Sequence, residues 1–187
     1  IKLGIQNGDF ISIEPKFEIT KSGFVKTRFL DDKASAFILI EVLKYLKEKN
    51  ITPNNNLTFI FSTYEEVGHG AANIPNVDEL IAVDMGCIGS DLSCTEEMVS
   101  ICAKDSSGPY DYDLTSSLIS LAKENELKYA IDIYPFYGSD ASAALRGGND
   151  IKCALIGAGI AASHGMERTH LNGIYNTYKL ILAYINK

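Results

Sequence analysis

Five side chains in this sequence have the types and placement that metal-assisted hydrolysis requires: Asp31, the adjacent Glu65 and Glu66, Asp84, and His164. Each acidic position directly follows an apolar run, FVKTRFL before Asp31, LTFIFSTY before Glu65 and LIAV before Asp84. A charge set against a core is costly unless a cation or hydrogen-bond partners receive it. Carboxylates with a neutral imidazole are good donors for zinc, cobalt or manganese. Two such ions, roughly 3.5–4 Å apart, need a bridging carboxylate and activate a water between them; Asp31 is the candidate bridge. Successive strand residues point to opposite sides, so one of Glu65 and Glu66 can bind metal while the other accepts a proton from the water. Taken singly, a strand-end Asp is more often a cap or turn former, a Glu pair a solvated face, and a His a hydrogen-bonded structural group. The five together outweigh those readings.

These side chains have to be positioned by the elements between them. Residues 2–12 read as two short strands around the turn dipeptide Asn7-Gly8. Further strands are expected at 24–30, from 57 up to Glu65, and at 79–83, 98–103, 129–133 and 151–156. Helices are expected at 34–48, 112–125, 140–145 and 174–185. Such alternation argues for an α/β domain with a largely parallel sheet. In open sheets of this kind ligands gather at the carboxyl ends of the strands, where Asp31, Glu65, Glu66 and Asp84 fall.

Composition narrows the partners. The chain has 187 residues, 46% of them hydrophobic, which is enough to fill a sizeable core. Its formal net charge of -7, without a basic cluster, argues against nucleic acid. No apolar run approaches a membrane span and no leader precedes the first strand, so the cytoplasm is the default. Cys87, Cys94, Cys102 and Cys153 fit neither a metal knuckle nor a disulfide framework and read as reduced and mostly buried. The opening at Ile1, without an initiator methionine, reads as that of a fragment.

Two motifs are set aside. The run from Gly157 to Ala162 fits G-x-G-x-x-A, but the following SHGMERTH does not form an amphipathic helix, and the expected later acidic residue is missing. Gly138-Ser139-Asp140 lacks the G-x-S-x-G elbow of a nucleophilic serine. A role in shaping a substrate pocket fits Ser139 and Asp140 better.

The pieces LGIQNGDF, FLDDKAS, STYEEVGHGAAN, AVDMG, SGPYDYDL, YGSDASAAL and IAASHGMERTH resemble, in order and over nearly the whole chain, the family-42 metallo-aminopeptidases of the glutamyl or deblocking type. The resemblance implies a three-layer α/β sandwich with a mostly parallel central sheet flanked by helices, preceded by a short β remnant. It implies a dinuclear, metal-dependent exopeptidase that removes N-terminal residues from peptides by attack of a metal-bridging hydroxide. In those terms Glu65 matches the general base, Asp31 the bridging ligand, Glu66 and Asp84 ligands to one ion each, and His164 the terminal histidine ligand, with His170 as the alternative. Ser139 and Asp140 match a segment near the substrate pocket. A cis peptide between Asp31 and Asp32 is expected on the same grounds.

Residues 1–26 match the tail of an inserted β-rich assembly domain, and 27–187 the C-terminal part of the catalytic domain. An upstream His-x-Asp segment of the family is absent. The resemblance therefore implies two divalent ions, zinc or cobalt and possibly manganese, in the intact enzyme, but an incomplete site and no activity in this chain alone. A homo-oligomer is expected of the intact protein. A related dinuclear amidase or deacylase and a non-catalytic binding or assembly module are the competing readings.

Overall fold

The computed structural model describes residues 3–187. In chain order the elements are β1 (Glu18–Ile19), β2 (Phe24–Thr27), α1 (Leu30–Glu48), β3 (Glu79–Cys87), β4 (Val99–Asp105), β5 (Gly108–Pro109), α2 (Tyr112–Glu124), β6 (Tyr129–Ile133), α3 (Asp140–Arg146), β7 (Lys152–Ile160), β8 (Glu167–His170) and α4 (Leu171–Ile185). A main sheet runs β3-β7-β4-β5, with β6 also paired to β4. Its two longest ladders are parallel, β3 with β7 from Glu79↔Lys152 to Cys87↔Ile160 and β4 with β6, while β4 meets β7 and β5 antiparallel. A small antiparallel sheet, β1-β2-β8, stands beside it. The mostly parallel sheet with flanking helices is the α/β layering expected from the alternation of elements.

Strand alternation divides the interior in two. Ala154 and Ile156 of β7, with Val99 and Ile101 of β4, enter a core shared with α1, α2 and α4. Their neighbours Cys153, Leu155 and Cys102 enter a second core, which α3 covers through Ala141. Both faces of these strands are therefore buried, as near-continuous apolar runs require. The helices reach the first core through residues four apart, Ile38, Val42 and Leu46 on α1 and Leu114, Leu118 and Ala122 on α2. Burying a side chain the size of Ile38 or Leu118 contributes about 1.5–3 kcal/mol. Asp111 starts α2 by accepting the Leu114 amide (2.8 Å), leaving one fewer unpaired donor at the helix end.

Several expected elements differ. Residues 57–60 alternate, Leu57 and Phe59 packing on the first core while Thr58 and Ile60 face out, yet they form no ladder with any strand among the described residues. Alternation reports burial of one face; a strand also needs a backbone partner. Around Asn7-Gly8 a turn forms, with the Asp9 amide donating to the Gln6 carbonyl (3.2 Å) and Gly8 at φ 96, but its flanks are exposed and unladdered. Lys2, at which the first of those strands is expected to begin, lies outside the described residues. The strand at 24–30 stops at Thr27, because Phe29 takes φ 67 and Leu30 already opens α1.

β3 does not end before Asp84 but runs on to Cys87, and β7 continues to Ile160. Glycine permits this close pairing. A Cβ at Gly157 would lie 1.7 Å from the Asp84 carbonyl oxygen, and one at Gly159 would lie 2.1 Å from that of Thr95. The G-x-G of the discarded dinucleotide motif is thus a sheet-packing device within β7.

Candidate metal centre and active site

Four backbone devices bring the acidic residues and His164 to one crevice. At the start of α1 the Asp31–Asp32 peptide is cis, and neither residue has helical angles, Asp31 standing at φ -81, ψ 101 and Asp32 at φ -124, ψ 45. Asp31 lines the crevice. Asp32 turns back so that its Oδ1 accepts the Ser35 amide (3.3 Å), as a helix cap does. Ser35 Oγ donates to the Asp84 carbonyl (2.9 Å), tying α1 to β3 at the next acidic position. The Asp84 carboxylate accepts the amide of Met85 (2.6 Å).

Glu65–Val67 form a short 3₁₀ turn, closed by the Gly68 amide on the Glu65 carbonyl (2.7 Å) with Gly68 at φ 83. Just before it, Ser62 Oγ donates to Asp140 Oδ2 (2.5 Å), anchoring the turn to α3. A Cβ at Gly70 would meet Asp140 Oδ1 at 2.7 Å and the Glu65 amide nitrogen at 2.8 Å, so only glycine lets the chain pass there. His164 sits between β7 and β8 in a tight turn, with Ala162 at φ 58, His164 at φ 65 and the Gly165 amide on the Ala162 carbonyl. Left-handed backbone is uncommon for such residues and needs surrounding structure to hold it.

The outcome is a trio. His164 Nε2 lies 3.2 Å from Asp31 Oδ2 and 3.1 Å from Glu66 Oε2, and one ligand atom from each residue falls within 4.8 Å of the others. Ser163 Oγ donates to the same Asp31 oxygen (2.8 Å). The Asp31 side chain is 7% exposed and that of His164 61%, so the trio is rooted in the protein and open on the imidazole side. The imidazole contacts have hydrogen-bonded ion-pair spacing, a little shorter than the roughly 3.3–3.6 Å between ligands about 2.0–2.2 Å from a tetrahedral ion. Glu65 and Asp84 line the same crevice of about 590 Å³ but stand outside the trio.

The electrostatics fit a cation. Burial, then the charges of Asp140 and Glu66, pushes Glu65 up from 4.5 to about 7. Burial and the neighbouring Asp31 carboxylate raise Asp84 well above the carboxylate range, and burial with Asp84 does the same to Asp32. Burial and Asp31 also raise Glu66, which the His164 imidazole opposes. Carboxylates this crowded resist ionisation unless positive charge joins them, and this oxygen and nitrogen donor set accepts zinc, cobalt or manganese.

His170 is placed elsewhere. It caps α4, its Nδ1 accepting the Asn172 amide (3.0 Å), which leaves the proton on Nε2 to be donated to the Ser22 carbonyl (2.8 Å), and its ring packs edge-on against Phe24. With both ring nitrogens engaged, this alternative to His164 is not part of the trio. Ser139 lines the crevice but is itself committed, capping α3 through the Ser142 amide (3.3 Å) and bonding Tyr110 Oη (2.7 Å). Asp140 faces Ser62 rather than the crevice.

Two acidic residues at the site were not singled out from the sequence. Asp32 was visible only as the second half of an Asp pair. Glu167 is 1% exposed, and its carboxylate accepts the Asp31 amide on Oε2 (3.1 Å) and the His164 amide on Oε1 (2.9 Å). Its one signal was being the sole acidic residue in SHGMERTH, between two histidines.

The M42 glutamyl aminopeptidase family matches residues 1–180. YhfE of Bacillus subtilis (strain 168), which is named as an aminopeptidase, is 48% identical over 186 residues, covering 98% of this chain and 54% of its own length. The chain thus spans about half the length of that curated relative. A Pyrococcus horikoshii TET1 peptidase, described as assembling into a tetrahedron or a large octahedral shell, aligns with a TM-score of 0.81 at 29% identity, over 91% of this chain and 52% of that one. An aminopeptidase from the archaeon Desulfurococcus kamchatkensis shares the fold, with a TM-score of 0.86 at 18% identity, over 99% and 55% of the two chains. Matched over nearly its whole length, the chain belongs to the M42 glutamyl aminopeptidase family.

Proposed function

We propose that the protein containing this chain is a dinuclear metal-dependent aminopeptidase that removes N-terminal residues from peptides. The observation that carries the reading is the meeting of Asp31, Glu66 and His164 at ligand spacing beside a separate carboxylate, Glu65, whose proton affinity lies near neutrality. Asp31, Glu66 and His164 would hold one ion, and Asp31 together with Asp84 would offer carboxylate ligands to a second. Among the described residues no further histidine faces that position, His170 being a helix cap and His69 stacking on Tyr64, so the remaining ligand comes from another part of the protein. This chain alone is accordingly expected to hold metal incompletely and to be inactive.

Bound zinc, cobalt or manganese would supply positive charge that acidifies a water and polarises the scissile carbonyl. The chain's own residues do the rest. Glu65, outside the ligand trio and half-buried, accepts a proton from the attacking water and returns it to the leaving amine, since a group titrating near 7 can do both. The acidic crevice attracts the free ammonium of a peptide N-terminus. Among the described residues, the Lys or Arg side chain lining it is Arg146, which would pair with an acidic first residue. Ser139 shapes the wall of that pocket, while Asp140 fixes the turn that carries Glu65.

The likeness to assembling TET peptidases supports a homo-oligomer, with residues up to about 26 the end of a β-rich assembly part. Four buried free cysteines suit a reducing cytoplasm. Among the described residues, no helix is long and apolar enough to cross a membrane.

The reading is tested with the full-length protein, stripped of metal, reloaded with zinc, cobalt or manganese, and offered aminoacyl substrates with free or acetylated amines. Metal-dependent cleavage confined to free amines is expected, with acidic first residues among the substrates. Cleavage of the acetylated set alone would make it a deacylase, and inertness toward both would make it a non-catalytic module.

A further inference from the structure

Glu167 is a fully buried carboxylate whose two oxygens are both spent on backbone amides, and those amides belong to two members of the trio. Oε2 accepts from Asp31 N (3.1 Å) and Oε1 from His164 N (2.9 Å). At 1% exposure neither bond competes with water. The carboxylate is itself fixed, because Glu167 opens β8 and pairs with Thr27 of β2. β2 leads into the non-helical Asp31–Asp32 corner, and β8 follows the His164 turn. One side chain therefore joins two loops that reach the crevice from opposite ends of the chain.

Both loops need holding. Asp31 lies outside helical geometry at the head of α1, and His164 sits at φ 65 beside Ala162 at φ 58, so neither backbone is set by a regular hydrogen-bond ladder. Glu167 does not belong to the ligand cluster and, with both oxygens engaged, is not free to become a ligand.

We propose that Glu167 is a positioning residue for metal binding: its carboxylate clamps the Asp31 and His164 amides so that Oδ2 and Nε2 meet at ligand spacing. This rests on the metal reading above. A carboxylate accepts both amides; glutamine of the same shape presents an NH₂ to one of them, so Glu167→Gln loses one arm of the clamp while filling the same space.

The test uses the full-length protein, titrated with Zn²⁺ or Mn²⁺ against a competing chelator at a temperature well below unfolding. Loss of a ligand-orienting contact typically weakens metal affinity about 10–100-fold, and that range is expected for Glu167→Gln, with an altered Co²⁺ absorption spectrum. Thr169→Val is the control. Thr169 is fully buried in the same strand and donates to the Gly159 carbonyl (2.7 Å), so its loss lowers the melting temperature without moving the metal affinity.

An unchanged affinity in Glu167→Gln, whatever its melting temperature, would overturn the clamp while leaving the metal centre standing. If wild type itself binds neither ion, the metal reading fails and the clamp with it. Amide exchange of metal-free wild type tests the clamp without any variant: the Asp31 and His164 amides are expected to be protected, and rapid exchange of both would overturn it.

Discussion

His164 Nε2 stands 3.2 Å from Asp31 Oδ2, although the two residues lie near opposite ends of the chain. The imidazole is 61% exposed and is held there by its contacts with Asp31 and Glu66, the oxygens it would share with an ion under the proposed reading. Replacing His164 with alanine is expected to weaken metal binding by more than the roughly 10–100-fold typical of losing an outer-shell contact, with little change in melting temperature of the metal-free protein. Calorimetric titration of the full-length variant checks this, and wild-type affinity in His164→Ala would remove the residue from the ligand set.

Asp84 is placed by a backbone approach that a methyl group would block. In Gly157→Ala the added carbon would start 1.7 Å from the Asp84 carbonyl oxygen, so β3 and β7 must separate. The expected cost is at least the ~1–3 kcal/mol of an overpacked core, read from denaturant unfolding, together with weaker metal binding as Asp84 shifts. A variant as stable as wild type would mean that the strands yield without difficulty.

Metal-free protein is expected to lose stability as pH rises from the weakly acidic range toward neutrality. Glu65 has a folded-state value of about 7 against an ordinary 4.5, and Asp32, Asp84 and Glu66 are displaced in the same direction. For groups raised in the folded state, the stabilising contribution is complete below the ordinary carboxylate range and is lost as pH climbs through the folded value. Metal should reverse the trend and release protons on binding at pH 6. Melting temperatures at pH 5.5 and 7.5, with and without zinc, are the measurement. A metal-free protein whose stability rises steadily over that interval would contradict the crowding.

The cysteines offer a test away from the centre. Burial pushes Cys87, Cys94 and Cys102 up to about 12 and Cys153 up to about 11. The thiolate is the reactive form, so a thiol reagent at pH 8 is expected to modify native protein slowly and all four cysteines quickly once it is unfolded. Their contribution to stability should be lost between about pH 9 and 12, the interval separating the ordinary thiol value from the folded ones.

Helices and sheet strands were legible because their apolar periods coincide with buried faces: α2, β6 and the core of α1 fall where periodicity puts them. Residues 57–60 show the limit of that signal, since alternation is a property of side chains and a strand also requires a neighbouring backbone. The acidic residues after apolar runs were legible one at a time, and the structure joins Asp31, Glu66 and His164. Glu167 was not legible, because its role lies in accepting two amides from distant loops and nothing in its local sequence records that. Nor was it legible that His170 has both ring nitrogens engaged, by the Asn172 amide and the Ser22 carbonyl.

The central claim is that Glu65 moves protons beside an ion held by Asp31, Glu66 and His164, and the full-length Glu65→Gln variant tests it most directly. Metal content and aminopeptidase rate are measured on the same preparation. The account predicts wild-type metal content with hydrolysis reduced by about 10²–10⁴, the usual worth of a general base. A Glu65→Gln enzyme that retains both its metal and its rate, or a wild-type enzyme whose hydrolysis survives complete removal of metal, would contradict it.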